Sequence, residues 1–250
     1  MSAVDLSLVI ACFNEQGHLL ESVAEIERSL GAAGITHELL FIDDASSDGT
    51  ATLIEGLVAG RDDRRAVYHT VNVGRGGTVS EGFRMARGRR VGYLDIDLEI
   101  HCRVVPELLA ELDAGADAAT AYRCYDPHWR ADSLLRHVLS RGYRLILRTM
   151  LATRLRDTET GCKFFDREAL LPILEEARHP GWFWDTEIMI LAERRGLKIV
   201  EVPCRFEQRL DKRSTVRVFR DVPDYLVSLW TFRRRLSASE AGREKDPDST

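Results

Sequence analysis

Three carboxylates occupy alternate positions in Leu94-Asp95-Ile96-Asp97-Leu98-Glu99, directly after the apolar run Val91-Gly92-Tyr93-Leu94. On an extended backbone, side chains two positions apart point the same way. Asp95, Asp97 and Glu99 are therefore expected to converge unless the strand breaks at once. Like charges at that spacing repel, so a cation should sit among them. Hard oxygen ligands suit a Mg2+- or Mn2+-type ion, which commonly shares its shell with substrate phosphates. The competing reading is a solvated strand end that is merely acidic, and the triplet by itself does not separate the two.

The elements that position these residues can be read from periodicity. Leu6-Ser7-Leu8-Val9-Ile10-Ala11 is a buried-strand pattern leading into the polar loop Cys12-Phe13-Asn14-Glu15. A helix over about 18–30 carries Leu19, Leu20, Val23, Ile26 and Leu30 at core spacing. Glu38 to Ile42 reads as a second strand, ended by Asp43-Asp44-Ala45-Ser46-Ser47-Asp48-Gly49-Thr50. The latter half of that stretch is turn chemistry, with Ser47 or Asp48 able to cap a helix over 50–60. Residues 66–69 suggest a third strand. Asn72-Val73-Gly74-Arg75-Gly76-Gly77 then opens a helix over 78–86, ahead of the acidic strand.

Strands alternating with helices in this way predict an α/β fold with an open, mostly parallel sheet and right-handed crossovers. Ligands on such sheets bind outside the carboxyl ends of the strands. Asn14-Glu15, Asp43-Asp44 and Asp95/Asp97 all fall at those ends. The second half is less regular. It suggests a helix over 106–112, a strand over 116–122, and a Leu- and Arg-rich helix over 133–155 bearing Arg136, Arg141, Arg144, Arg148 and Arg154. Further elements are expected at 182–195 (helix), 198–202 (strand), 205–217 (basic loop) and 222–236 (helix). The resulting organisation is a main domain over 1–215, an amphipathic helix over 216–236 and a polar, disordered tail over 237–250.

Bulk properties narrow the function classes. A 250-residue chain with 44% hydrophobic and 30% charged residues can bury a full core. A net charge of -5 argues against a general nucleic-acid binder. Five scattered cysteines fit neither a zinc site nor a closed disulfide framework, so reduced thiols in a cytoplasmic protein are expected. No stretch approaches the roughly 20 apolar residues of a spanning helix, and no signal-type segment precedes Leu6. Membrane contact is therefore expected to be peripheral, on the cytosolic face.

Taken in order, Val9-Ile10-Ala11-Cys12-Phe13-Asn14-Glu15, Ile42-Asp43-Asp44-Ala45-Ser46-Ser47-Asp48-Gly49-Thr50, Asn72-Val73-Gly74-Arg75-Gly76-Gly77 and Leu94-Asp95-Ile96-Asp97-Leu98 resemble the landmarks of an inverting family 2 glycosyltransferase. The resemblance spans about residues 6–220 and is closest to the dolichyl/polyprenyl-phosphate mannosyl- and glucosyltransferases. It implies the nucleotide-sugar-binding, Rossmann-like A-type fold. It places Glu15 and Asp44, with Asp43 close by, at the base and ribose of the donor. Ala11, Phe13, Gly74, Arg75, Gly76 and Ile96 join that donor-binding set. Asp97 matches the metal ligand, and Asp95 the acid facing the ribose or sugar. Glu99 stands where the lipid-linked enzymes usually have a glutamine that also touches the metal. Ala11 replaces the usual proline, and Arg75 the commoner lysine, keeping the charge but adding a planar fork. The glycines of 74–77 either aim backbone N–H groups at the diphosphate or serve a tight turn needing positive φ.

Ser140-Arg141-Gly142-Tyr143-Arg144, Asp157-Thr158-Glu159-Thr160-Gly161-Cys162-Lys163-Phe164-Phe165 and Glu201-Val202-Pro203 with the basic loop Arg209 to Arg213 resemble acceptor-side segments of the same enzymes. A polyprenyl phosphate is already anionic and needs cationic clamps rather than a strong base. Arg136, Arg141 and Arg209 are the candidate clamps, against the alternative of a solvated helix face. In Trp182-Phe183-Trp184-Asp185-Thr186-Glu187, Asp185 matches the aspartate that deprotonates hydroxyl acceptors in other members, or else stabilises a helix start. The resulting expectation is metal-dependent hexosyl transfer from a nucleotide sugar (GDP-mannose or UDP-glucose type) to polyprenyl phosphate. The rivals are transfer to a hydroxyl with Asp185 as base, and a non-catalytic nucleotide-sugar-binding subunit of a membrane partner. Phe219, Val222, Tyr225, Leu226, Leu229 and Trp230, rimmed by Arg217, Arg220, Arg233, Arg234 and Arg235, read as an interfacial helix or as ordinary core.

Overall fold

A computed structural model of the chain describes residues 4–124, 146–206 and 218–243. Arg136, Arg141 and Arg209, the Ser140–Arg144 segment, the basic loop at 207–217 and the tail at 244–250 lie outside the described residues. What is described falls into two compact units, 4–124 with 155–206 and 146–154 with 218–243.

The first unit is built on a seven-stranded sheet in the order β3-β2-β1-β4-β6-β5-β7. The strands are β1 (Leu6–Cys12), β2 (His37–Asp43), β3 (Arg64–Tyr68), β4 (Arg90–Leu94), β5 (Ala118–Cys124), β6 (Cys162–Asp166) and β7 (Ile199–Arg205). The helices of this unit are α1 (Leu19–Ala32), α2 (Thr50–Val58), α3 (Arg75–Met85), α4 (Val105–Asp113), α5 (Arg167–Leu174) and α6 (Trp184–Arg194). Strands β3, β2, β1 and β4 are mutually parallel. β6 runs antiparallel to both β4 and β5, which makes the sheet mixed. Leu8, Ile10, Leu39, Phe41 and Phe164 are completely covered, as expected where helices protect a parallel sheet.

Several elements differ from the sequence reading. β6 and α5 were not anticipated as elements, because Lys163 interrupts the apolar run Cys162–Phe165. α3 begins at Arg75 rather than near residue 78, since Gly74 at φ 86 ends the loop there. The largest change is in the acidic stretch. β4 stops at Leu94; the Asp95 amide bonds the Gly161 carbonyl at 2.8 Å, and the Leu98 amide turns back to the Asp95 carbonyl at 3.0 Å. With Leu98 in the left-handed region at φ 54, positions 95, 97 and 99 lie on a turn, and the alternation that would align them is lost.

The second unit contains α7 (Val218–Arg243) and a helical stretch over 146–151. The Arg233 Nη1 donates to the Met150 carbonyl at 2.5 Å. α7 is longer than the 222–236 expected and takes in the first part of the stretch read as a disordered tail. Its apolar stripe divides: Leu229, Phe232 and Leu236 are buried, whereas Leu226, Val227 and Trp230 are exposed. No helix among the described residues is long and apolar enough to cross a membrane.

Candidate active site

The carboxyl ends of β1 and β2 are joined by a web of short polar contacts. Asn14, at φ 58, accepts the Ser47 amide at 2.8 Å, and its own amide reaches Ser46 Oγ at 2.9 Å. Thr50 Oγ1 receives the Glu15 amide at 2.8 Å, and Gln16 Oε1 receives the Gly49 amide at 2.8 Å. Asp48, one of the two expected caps, accepts the Thr50 amide at 2.9 Å at the start of α2. Asp43 is buried and accepts from Ser46, while the Glu15 carboxylate lies 2.5 Å from His18 Nε2. Phe13 stands exposed on this edge, after Ala11 in β1.

Asp44 is buried and fully engaged. Its Oδ1 accepts the Val73 amide at 2.8 Å and meets His69 Nδ1 at 2.7 Å; its Oδ2 accepts the Gly74 amide at 2.9 Å. The other ring nitrogen of His69 meets Glu81 at 2.8 Å. Asp44 thus shapes the glycine loop, and the amides of Val73 and Gly74 are spent inside the protein. The Gly77 amide likewise donates to the Pro180 carbonyl at 3.0 Å. The glycines follow the same logic: a Cβ on Gly74 would stand 2.8 Å from the Pro180 carbonyl oxygen, and one on Gly76 only 2.4 Å from Trp184 Cβ. The turn-and-packing reading of this loop is the one its contacts favour.

Behind the acidic turn lies a buried ionic cluster. Arg75, on the first turn of α3, donates from Nε to Asp185 Oδ2 at 2.9 Å and from Nη1 to Asp95. Its guanidinium is flanked by the Tyr93 ring at 5.2 Å and the Trp182 ring at 5.0 Å. Asp185 Oδ1 receives Lys163 Nζ at 2.9 Å and the Tyr93 hydroxyl. Burial works against the charge on Arg75, but Asp95 and Asp185 outweigh it and hold the guanidinium's pKa above its usual value. Burial pushes Asp185 up to about 6, despite the opposing pull of Arg75. Gly161 leaves the space that Asp95 fills, since a Cβ there would meet Asp95 Oδ2 at 1.7 Å.

Asp97 and Glu99 stay half-exposed beyond this cluster, the Glu99 amide bonding Asp97 Oδ1 at 3.3 Å, while Ile96 just before Asp97 is buried. Two hard carboxylates on a solvent-facing turn are a donor set that fits a divalent cation sharing its shell with phosphate oxygens and water. Asp95 is instead held by Arg75. Among the described residues, the trio of potential ligands within 4.8 Å of one another is Glu25, His101 and Cys102. There His101 Nδ1 accepts the Arg103 amide at the start of a helical turn, and Glu25 pairs with Arg28, so structural contacts account for both.

The segments Asp157–Phe165 and Glu201–Pro203 do meet. Glu201 accepts the amides of Arg156 and Asp157 at 2.8 and 3.0 Å, and Arg123 grips Asp157 through Nε and Nη2 at 2.7 and 2.8 Å. Burial opposes ionisation of Asp157, but Arg123 overcomes it and lowers the pKa.

The chain matches the model of glycosyl transferase family 2 over residues 7–173. It belongs to that family. The glycosyltransferase AglD of Haloferax volcanii is 32% identical over 232 residues, covering 88% of this chain, although the chain spans only 36% of that protein. A dolichyl-phosphate beta-glucosyltransferase of Dictyostelium discoideum is 25% identical over 90% of this chain and 76% of its own length. Glucosyl-3-phosphoglycerate synthase from Mycobacterium tuberculosis, solved with Mn2+, UDP-glucose and phosphoglyceric acid, superposes at TM-score 0.65 with 20% identity, over 93% of this chain and 80% of that one. At that identity it shows the fold alone, the A-type α/β fold of glycosyltransferases. The family 2 transferase therefore presents its buried Arg75 cluster and its acidic turn at the strand ends where such sheets hold ligands.

Four participants were missed from sequence: Lys163, Tyr93, His69 and Arg123. The signal for Lys163 was available, since a lone lysine inside an apolar strand must find a buried carboxylate. Nothing local marked Tyr93 or His69, whose roles depend on partners 92 and 25 residues away.

Proposed function

We propose that this transferase moves a hexosyl group from a nucleotide sugar to polyprenyl phosphate at the cytosolic face of a membrane. The observation that carries the choice of acceptor is the state of Asp185. A general base must reach the proton it removes, yet Asp185 is 2% exposed, with both oxygens taken by Arg75, Lys163 and Tyr93. A phosphate acceptor, ionised at neutral pH, needs no such base. The dolichyl-phosphate relatives support the same assignment, as do the exposed Val73 and Trp182 on segments leaving the sheet's carboxyl edge, where an apolar chain could lie.

Asp97 and Glu99 would hold Mg2+ or Mn2+, which when bound supplies positive charge for the departing nucleoside diphosphate. Glu15 and Asp44, with Asp43 and the Ala11–Phe13 edge close by, would border the donor base and ribose. Asp95, oriented by Arg75, would face the sugar. Arg136, Arg141 and Arg209 remain the proposed phosphate clamps. The exposed Leu226, Val227 and Trp230 of α7, with Arg234 4.7 Å over the Trp230 ring, would rest on anionic headgroups.

The test is a screen of UDP-glucose and GDP-mannose against a short polyprenyl phosphate, a polyprenol and soluble sugars, with and without chelator. Transfer to the phosphate, lost in chelator and restored by Mg2+ or Mn2+, is the expected result, as is loss of turnover in Asp97→Ala. Transfer to hydroxyl acceptors alone would overturn the reading. Full activity in chelator would remove its metal component. Sedimentation with anionic liposomes at low salt, weakened by Arg233, Arg234 and Arg235→Glu, checks the membrane contact.

A further inference from the structure

Lys163 is completely buried in the middle of β6. In the antiparallel register it stands directly opposite Tyr93 of β4, so the two side chains share one face of the sheet. Its three ammonium hydrogens meet three acceptors: Asp185 Oδ1 at 2.9 Å, Tyr93 Oη at 3.0 Å and the Thr160 carbonyl. The opposite oxygen of Asp185 holds Arg75 Nε at 2.9 Å, and Arg75 passes on to Asp95. A continuous path of charge-assisted contacts therefore runs from the sheet interior to the acid at the edge of the site.

We propose that Lys163 is a positioning residue for glycosyl transfer, fixing Arg75, and through it Asp95, by way of Asp185. The inference rests on the transferase reading of this site. Charge bookkeeping supports it. With Lys163, two cations balance Asp95 and Asp185; without it, Arg75 must bridge both carboxylates alone. Its hold on Asp95 is then diluted and its rotamer freed. Burial, aided by Arg75, pulls the Lys163 pKa down to about 7, a cost that an apolar residue at this position would not incur. Packing alone therefore does not account for a lysine here.

Lys163→Met keeps the length and removes the charge. The expected result is a fall in kcat of about 10²-fold, the usual cost of a misplaced reacting group. The donor KM and the affinity for the nucleoside diphosphate, measured by calorimetry, should change little. The double variant Lys163→Met with Asp185→Asn should be no slower than the worse single variant, because the two act as one unit. In 15N NMR the Arg75 Nε–H, assigned by its loss in Arg75→Gln, should be protected in the parent and exchange rapidly in Lys163→Met. This last readout needs no turnover, so it judges the positioning role even where no acceptor is found; absence of any sugar transfer by the parent protein counts instead against the transferase assignment. A normal kcat with a lowered Tm would make Lys163 merely structural and overturn the proposal, as would an unchanged Arg75 signal. If Lys163→Met fails to fold, Tyr93→Phe removes one link while keeping the ring. A smaller fall in kcat with faster Arg75 exchange is then expected, and a fully active Tyr93→Phe with a protected Arg75 overturns the idea.

Discussion

Two carboxylates, Asp44 and Asp185, each hold a piece of the site in place, but from opposite surroundings. Asp44 lies near the rim, its partners being backbone amides and a histidine whose second nitrogen faces the 42% exposed Glu81. Asp185 lies inside the molecule, its partners being a guanidinium, an ammonium and a phenol. The rim cluster uses amides that cannot lose their function with pH and one imidazole that can. The interior cluster is built from buried side-chain charges, and loss of any one leaves its partner bare in low dielectric. Damage at the first should therefore appear as a pH-dependent loss of stability, and damage at the second as loss of turnover.

The sharpest break is Arg75→Gln. It leaves Asp95 without its guanidinium and Asp185 with Lys163 and the Tyr93 hydroxyl. Breaking a buried pair from one side costs about 3 kcal/mol, and Asp95 loses its orientation as well. Turnover should fall by about 10³-fold, a loss comparable with removing a preorganised charge contact, and the thermal midpoint should drop in a differential scan. If the same substitution lowers stability while turnover survives, the interior cluster is a folding device and the contrast with the rim disappears.

Gly161→Ala probes the same cluster more gently. The new methyl would occupy the space of the Asp95 carboxylate, so that the acid must rotate away from Arg75. Overpacking of this kind costs about 1–3 kcal/mol, and the expected loss of turnover is about 10²-fold, as fits a carboxylate displaced by about 1 Å or more. A crystal structure of the variant with Asp95 unmoved and activity intact would show that this carboxylate has no bearing on transfer. Glu99→Gln, outside the cluster on the acidic turn, should keep most of its activity and require more Mg2+ or Mn2+ for half-maximal rate.

The two regions also differ in how legible they were. The motifs around Asn14, Asp43-Asp44, Gly74 and Asp95 could be placed at strand ends because each follows a continuous apolar run, and β1 to β4 pair as those runs imply. What those residues touch could not be read. Asp44, matched to a nucleotide contact, also holds the glycine loop. Asp185, read as a base or a helix-start acid, does lie in the first turn of α6, and it also anchors an arginine 110 positions earlier. The acidic triplet misled for a local reason, since alternation has meaning only while the strand lasts, and β4 ends one residue before Asp95. Antiparallel pairing of β6 with β4 was hidden because a buried lysine breaks the apolar pattern that marks a strand.

The smallest expected effect belongs to the rim and concerns His69. Its ring sits between Asp44 and Glu81, and its own amide donates to the Asp43 carbonyl at 2.8 Å. Burial disfavours the imidazolium, but hydrogen bonds and charge from Asp44 and Glu81 outweigh it and raise the pKa above 6.5. A histidine whose folded pKa exceeds its unfolded value binds more protons when folded. Its stabilisation is complete below about 6.5 and is lost as the pH rises through the folded value. His69→Gln retains a donor for Asp44 but cannot take the charge. Below pH 6.5 the variant should therefore be less stable than the parent by on the order of 1 kcal/mol, the usual worth of such a hydrogen bond. The gap should narrow toward alkaline pH. Denaturation curves from pH 5.5 to 8.5 measure it. A gap that stays constant across the range would mean that the ring is neutral throughout, and that the rim and interior clusters do not differ in the way proposed.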